Sequence, residues 1–119
     1  MASSPKDNMI GVMEKIALFG CSRGLGWEVA QLWAQNPKVD LLMLSRRIEH
    51  LKWPRQDVKR NFDFSKPDNW ERMTDLLRKF NPTGIIYLAG GGPYGPYASK
   101  DWKDQEWALN VNFTFPAYL

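Results

Sequence analysis

Three glycines near the start of the chain have the spacing of a turn that could bind a diphosphate. Gly20, Gly24 and Gly26 lie in FGCSRGLGWEVA, after a short apolar run and before a helical pattern. Glycine permits a sharp turn out of a strand, close approach of the backbone to phosphate oxygens, and tight packing of helix on sheet. N–H groups at the helix N-terminus would face the diphosphate, and Ser22 could donate a further hydrogen bond. The alternative is a flexible turn with three incidental glycines.

Two arginines follow the second apolar run, at the position that would recognise a ribose. About 20 residues beyond a glycine turn of this kind, an acidic residue binds the 2′-hydroxyl group of NAD. Ser45 stands there and has no carboxylate, while Arg46 and Arg47 follow it and Arg23 lies within the turn. Guanidinium groups form paired, charge-assisted hydrogen bonds with a 2′-phosphate. This pattern favours NADP(H) over NAD(H), with Arg23 and Arg46 holding the 2′-phosphate, unless the arginines only solubilise a strand end.

The elements that must position these residues are alternating strands and helices. Apolar runs predict β-strands at residues 15–20, 39–45, 58–64 and 84–89. Their alternation with helical patterns predicts parallel βαβ units in the strand order 3-2-1-4. The predicted fold is α/β, a partial doubly wound sheet of Rossmann type with flanking helices. It would occupy residues 14–119, after a flexible leader at residues 1–13.

Three helices are predicted between and after these strands. The first has an apolar stripe of Leu25, Val29, Leu32 and Trp33. The second would be capped by Ser65, with Pro67 in its first turn. The last would begin near Asp101 or Lys103 and run towards the end of the sequence.

Composition and charge exclude several classes of function. The 119-residue chain is 44% hydrophobic and 24% charged, which indicates one soluble globular domain. Its net charge of +3 is spread over segments of mixed sign, so no nucleic-acid partner is expected. No apolar run approaches the roughly 18 residues of a membrane span, and a cytoplasmic location is expected by default. A single cysteine, Cys21, and a single histidine, His50, predict neither a disulfide nor a metal site.

Five motifs follow one another from residue 14 onward. They are GCSRGLG, LSRR, FDFSKPDNW, YLAGGGPYGP and WALNVNFTF. Together they resemble the N-terminal part of the short-chain dehydrogenase/reductase family: the cofactor turn, the NADP-type second strand, the segments after the third and fourth strands, and the helix with the catalytic asparagine. The sequence departs from the family where Tyr87 and Leu88 replace two asparagines after the fourth strand.

The resemblance implies roles for individual residues. Asp63 would bind the adenine amino group with Phe64 adding a backbone contact, although Asp63 could instead cap the turn that follows. Asn112 would be the asparagine of the family's catalytic tetrad, although it could be a satisfied buried amide, and Asn110 lies close by. The residues expected to contact the cofactor are Gly20, Ser22, Arg23, Gly24, Leu25, Gly26, Ser45, Arg46, Asp63, Phe64, Ala89, Gly90 and Gly91.

The segment YGPYASK contains a tyrosine and a lysine that could be mistaken for a catalytic pair. The family completes its site with a serine and with Tyr-x-x-x-Lys, whose spacing places both side chains on one helix face so that the lysine lowers the tyrosine pKa. Tyr97 and Lys100 are three residues apart, and Pro96 cannot lie inside a regular helix. We therefore predict a loop in which Tyr97 only shapes the mouth of the substrate site.

These patterns predict the N-terminal part of an NADP(H)-dependent oxidoreductase of the short-chain type. Such an enzyme moves a hydride between nicotinamide and a small-molecule carbonyl or alcohol substrate. Because the catalytic serine, tyrosine and lysine have no counterparts here, we expect a piece of a longer reductase that is inactive alone. We also expect self-association through the edge of the fourth strand or through the last helix. The alternative is a non-catalytic dinucleotide sensor or scaffold on the same fold.

Overall fold

The computed structural model describes residues 14–91 and 99–119, so the predicted leader at residues 1–13 lies outside the described residues. One parallel sheet has the predicted strand order, β3-β2-β1-β4. Its strands are β1 Glu14–Phe19, β2 Val39–Ser45, β3 Val58–Asn61 and β4 Gly84–Tyr87. Phe19 lies opposite Leu44 on one side and Tyr87 on the other, so the carboxyl ends of three strands meet at one edge.

The third strand is shorter than predicted, because the chain leaves the sheet before Phe64. The N–H of Phe62 still donates to the carbonyl of Ser45 at 2.9 Å. The chain then turns at Asp63, whose carboxylate accepts the N–H of Ser65 at 3.0 Å. Phe62 and Phe64 are both buried in the core. Their alternation with polar residues has the sequence pattern of a strand, although Phe64 belongs to the turn.

Helix α1, Gly24–Ala34, begins directly after the glycine turn, and its predicted apolar stripe is wrong in two positions. The side chains of Leu25 and Leu32 are 69% and 67% exposed. The helix instead buries Gly26 and Ala30, which are four residues apart and lie on the same helix face. Small residues on that face let the helix approach the sheet closely, and this rotates the two leucines towards solvent.

Helix α2, Trp70–Phe80, follows a short 3₁₀ turn at Pro67–Asn69. Pro67 occupies the first turn as predicted, but Ser65 is not the cap. Its hydroxyl group donates to the Asp63 carboxylate at 2.5 Å. Ser65 therefore belongs to the turn that follows β3 and precedes the 3₁₀ turn at Pro67–Asn69.

Helix α3, Trp102–Leu109, begins where predicted, at a reciprocal capping box. Asp101 accepts the N–H of Asp104 at 3.1 Å, and Asp104 accepts the N–H of Asp101 at 3.2 Å. The helix continues into a π-helical segment, Asn110–Thr114, and a last turn, α4, Phe115–Tyr118. A π-helical turn is unusual and is frequently found at functional sites.

Two hydrophobic cores cover the two faces of the sheet. One contains Phe19, Phe64, Met73 and Phe115, with the rings of Phe64 and Phe115 stacked at 5.2 Å. The other contains the buried residues Leu18, Cys21, Ala30, Val39, Leu41, Met43 and Ile48. Burial on both faces explains why the central strands have continuous apolar sequences. Among the described residues, no helix is both long and apolar enough to cross a membrane.

Candidate functional site

A cleft of about 380 Å³ opens at the edge of the sheet where the strands end. In open parallel sheets, ligands bind outside the carboxyl ends of the strands. The cleft is lined by Gly20, Ser22, Arg23, Ser45, Arg46, Arg47, Asp63, Phe64, Leu88, Ala89, Gly90, Trp107 and Val111. Nine of the predicted cofactor residues are therefore brought together in one cavity.

The glycine turn has the geometry that its sequence predicts. Gly20 has φ +86°, and a Cβ atom there would lie 2.4 Å from the backbone nitrogen of Ala89. A Cβ atom at Gly26 would lie 1.9 Å from the Gly20 carbonyl oxygen, so only glycine lets α1 pack against the turn. Gly24 has φ +60° and open space around it. The turn thus joins β1 to α1, and among the described residues a Cβ atom at Gly24 would have no neighbour within 4 Å.

Two serines form a hydrogen-bonded pair beneath this turn. The hydroxyl group of Ser45 donates to the hydroxyl oxygen of Ser22 at 2.9 Å, and Ser45 is only 7% exposed. A serine hydroxyl has one hydrogen to donate and two lone pairs to accept. With Ser45 as the donor of this bond, the hydrogen of Ser22 is available for a ligand oxygen. Ser45 therefore orients Ser22.

Three arginines give the cleft a positive charge. Arg23, Arg46 and Arg47 are exposed and line the cavity. Within residues 14–91 and 99–119, their guanidinium groups form no hydrogen bond or ion pair. By contrast, Arg55 is paired with Asp57 at 2.9 Å in the connection between β2 and β3. The cleft arginines therefore keep their donors available for an anionic ligand.

Asp63 caps the turn after β3 and also lines the cleft. Its Oδ1 atom accepts hydrogen bonds from both the N–H and the hydroxyl group of Ser65, which makes it a turn cap. Its Oδ2 atom has no partner in the described part of the chain and can accept a hydrogen bond in the cleft. Phe64 is only 5% exposed and its ring packs in the aromatic core, so its backbone is the part nearest a ligand.

Asn112 holds the loop after β4 against the π-helical segment. Its Nδ2 atom donates to the carbonyls of Gly91 and Ala108, and its Oδ1 atom accepts the N–H of Gly91 at 3.2 Å. Both amide hydrogens are therefore donated and the oxygen accepts one hydrogen bond, but Asn112 is exposed, not buried, and does not line the cleft. Its neighbour Asn110 donates to the carbonyl of Ser65 at 3.0 Å, which fixes the same segment to the turn after β3.

Some predicted residues lie outside the cavity wall, and some wall residues were not predicted. Gly24, Leu25, Gly26 and Gly91 do not line the cleft. Arg47, from the predicted arginine pair, does line it, and so do Leu88, Trp107 and Val111, which were not predicted. Trp107 takes up the space beside Gly91, where a Cβ atom would lie 2.7 Å from its ring. Its four-residue spacing from Val111 puts both on one helix face, a signal visible in the sequence once the cleft is known.

Burial keeps two titratable side chains near the cleft protonated at neutral pH. Burial raises the pKa of the Cys21 thiol to about 12. Burial also raises the pKa of Tyr87 to about 12, and its hydroxyl group donates to the carbonyl of Val111. Tyr97 lies outside the described residues, as does the rest of residues 92–98. Within the described ranges, no group of three or more His, Cys, Asp or Glu side chains could hold a metal ion.

The fold is shared with solved short-chain dehydrogenases at low sequence identity. A short-chain dehydrogenase family protein from Francisella tularensis subsp. tularensis SCHU S4 is 20% identical with a TM-score of 0.78, over 90% of this chain and 43% of that one. An oxidoreductase of the short-chain family from Brucella ovis, in complex with partially ordered NAD, is 19% identical with a TM-score of 0.76, over 90% and 54%. L-Sorbose reductase from Gluconobacter frateurii, complexed with NADPH and L-sorbose, is 13% identical with a TM-score of 0.74, over 89% and 44%.

These structures confirm the predicted fold, that of short-chain dehydrogenases, and the chain spans about half the length of each. No family model matches the sequence. No curated protein matches it significantly either. At such identities the likeness establishes the fold alone, because one fold can carry many functions.

Proposed function

We propose that this chain is the cofactor-binding, N-terminal part of an NADP(H)-dependent oxidoreductase of the short-chain dehydrogenase/reductase family. One observation carries the proposal: a glycine turn between β1 and α1 opens into a cleft lined by three arginines whose guanidinium groups have no partner in the described part of the chain. The cofactor supplies the hydride, and the chain's residues bind and orient it. The substrate would be a small molecule with a carbonyl or alcohol group.

The diphosphate would lie against the glycine turn. The N–H groups in the first turn of α1, at Gly24, Leu25 and Gly26, have no acceptor within the helix, and the helix dipole there favours negative charge. Ser22 adds its available hydroxyl hydrogen, and Arg23 adds a cation beside it. A bulky side chain at Gly24 would fill the space that the phosphates need.

The 2′-phosphate would lie against Arg46 and Arg47 at the end of β2. A carboxylate at Ser45 would favour the ribose hydroxyl group of NAD, and serine provides none. Structures with this fold have been solved with NAD and with NADPH, so the fold itself does not select between the cofactors. The preference for NADP(H) therefore depends on the arginines of this sequence.

The adenine amino group would donate to the Oδ2 atom of Asp63, with Phe64 contributing backbone. Ala89 and Gly90 would border the cofactor from the loop after β4. Asn112 would support the family's proton relay by holding that loop and the π-helical segment together. The sequence contains no Tyr-x-x-x-Lys, so we propose that the 119 residues alone bind cofactor without turning over substrate.

Cofactor titration tests this function directly. We expect the chain to bind NADPH more tightly than NADH, as measured by isothermal titration calorimetry at fixed low salt, and Arg46→Ala combined with Arg47→Ala to abolish the difference. Equal affinities would refute the NADP preference, and no binding of either cofactor by the folded chain would refute the cleft assignment. The same chain should show no reductase activity. Measurable turnover would contradict the proposal that the 119 residues bind cofactor without turning over substrate.

A non-catalytic dinucleotide sensor is the second candidate, because Tyr87 and Leu88 replace the family's two asparagines. The two candidates differ in what a longer product of the same gene would contain. A downstream Tyr-x-x-x-Lys would support the enzyme, and a longer product without one would support the sensor. For either, we propose a cytoplasmic protein that associates with itself.

A further inference from the structure

The turn that carries Arg46 and Arg47 is fastened to the end of β3 by one asparagine side chain. The Oδ1 atom of Asn61 accepts the N–H of Ile48 at 2.8 Å and the N–H of Glu49 at 3.0 Å. In return, the backbone N–H of Asn61 donates to the carboxylate of Glu49 at 2.7 Å. Three hydrogen bonds therefore close the turn directly after the two arginines.

This fastening matters because the connection has no regular structure of its own. Residues 46–57 form neither helix nor strand between β2 and β3. Immediately before the arginines, the Ser45 carbonyl accepts the N–H of Phe62 at 2.9 Å. Immediately after them, Ile48 is fully buried and its N–H is held by Asn61. The backbone of the arginine pair is thus fixed on both sides while its side chains stay in solvent.

The rest of the connection is held by contacts that do not involve Asn61. The Lys59 ammonium group donates to the carbonyl of Leu51 at 2.6 Å. The Arg55 guanidinium group is paired with Asp57 at 2.9 Å, and it donates to the carbonyl of Val39 at 2.7 Å. Loss of the Asn61 amide should therefore loosen the beginning of the connection without unfolding its end.

We propose that Asn61 is a positioning residue that determines cofactor choice: it preorganises Arg46 and Arg47 for the 2′-phosphate. This inference rests on the proposed function. A mobile arginine pair would pay an ordering cost on binding that a fixed pair avoids. Only a ligand with the 2′-phosphate uses the pair, so only that ligand benefits.

The experiment compares NADPH and NADH binding to the 119-residue chain, to Asn61→Ala, to a control variant, and to an arginine variant with and without Asn61→Ala. Asn61→Ala should weaken NADPH binding about tenfold and change NADH binding less than about twofold, because it removes preorganisation alone. The matched control is Asn36→Ala. Asn36 also accepts a backbone N–H, that of Lys38 at 2.9 Å, but it lies in the turn before β2, at the other end of the sheet. It should change neither affinity.

The arginines provide the test of mechanism. In the Arg46→Ala/Arg47→Ala background, adding Asn61→Ala should have no further effect on NADPH affinity. A continued tenfold loss there, or an equal loss for both cofactors in Asn61→Ala alone, would overturn the positioning role. If the unmodified chain binds both cofactors equally, and the arginine variant does too, the proposed NADP preference fails and this inference falls with it.

A measurement without ligand distinguishes failure of the positioning role from failure of the proposed NADP preference. Amide hydrogen exchange should be at least about tenfold faster at Ile48 and Glu49 in Asn61→Ala, because their acceptor is gone. Exchange at Leu41, whose N–H is held by Asp57 at 3.0 Å, should not change. Unchanged exchange at Ile48 and Glu49 would overturn the positioning role whatever the cofactor preference proves to be.

Discussion

At the scale of single residues, the glycine turn makes the sharpest prediction about stability. Gly26→Ala would place a methyl group 1.9 Å from the Gly20 carbonyl oxygen, and the turn and helix must separate to admit it. We expect a loss of about 3 kcal/mol or more in the free energy of unfolding, measured by urea denaturation. Gly24→Ala is the control. It meets no atom within 4 Å and bears only the cost of a positive φ, about 1–2 kcal/mol. Equal losses would show that packing at Gly26 is looser than described.

The buried thiol predicts how stability depends on alkaline pH. Burial raises the pKa of Cys21 from 9.0 to about 12, so between these values the folded state keeps a proton that the unfolded state loses. The free energy of unfolding should therefore fall as pH rises from about 9 towards 12, by up to about 1.4 kcal/mol per pH unit from this group.

Cys21→Ala isolates this contribution. It should make the fall with pH shallower, whatever its effect on stability at neutral pH, because only the slope reports the thiol. Tyr87, whose pKa is raised to about 12 by burial, adds a decrease of the same sign above pH 10. Denaturant titrations at four pH values measure the slopes, and identical slopes in the two proteins would contradict the burial of the thiol.

At the scale of elements, helix α3 depends on the capping box at its start. Asp101→Ala removes the acceptor for the Asp104 N–H and should lower the free energy of unfolding by about 1 kcal/mol. Glu106→Ala is a suitable control, because Glu106 is exposed on the same helix. Urea denaturation of both variants checks the prediction. If Asp101→Ala lowers the free energy of unfolding no more than the control does, the capping box does not stabilise the fold.

The elements also show what could be predicted from the sequence. The limits of β1 and β2 were predicted to within one residue, because strands buried on both faces stand out as apolar runs bounded by polar ones. The β3 limit was wrong, because Phe62 and Phe64 are buried by tertiary packing whether or not they pair in the sheet. The exposure of Leu25 was missed for a related reason. Helical spacing identifies a stripe, but Gly26 and Ala30 decide which side faces the sheet.

The candidate site was also only partly predictable from the sequence. Its glycines and arginines could be predicted because turn geometry and charge are local properties of the sequence. Trp107 and Asn61 could not be predicted, because their positions depend on contacts with residues that are distant along the chain. Trp107 packs against Gly91, 16 residues away. Asn61 holds Ile48 and Glu49, 13 and 12 residues away. The hydrogen bonds of Asn61 join a strand end to a connection without regular structure, and no periodic pattern reports such a contact.

At the scale of the whole molecule, the exposed apolar surface predicts self-association. Among the described strands β4 pairs only with β1, and Ile85 on it is 48% exposed. Leu109, at the end of α3, and Phe113, in the π-helical segment, are 48% and 66% exposed. A strand edge with unpaired backbone groups and an adjacent apolar helix face both favour contact with a second copy, and a net charge of only +3 opposes it weakly.

Two variants distinguish association through the β4 edge from association through the helix face, because each places a charge on one of these surfaces. Ile85→Lys should return the protein to a monomer if copies pair through β4, and Phe113→Lys should do so if they pack through the helix. Leu32→Lys, on the far side at α1, is the control and should leave the assembly unchanged. Multi-angle light scattering across a concentration series measures the mass. A stable monomer of the unmodified chain at high concentration would refute self-association, and dissociation by Leu32→Lys alone would place the contact on α1.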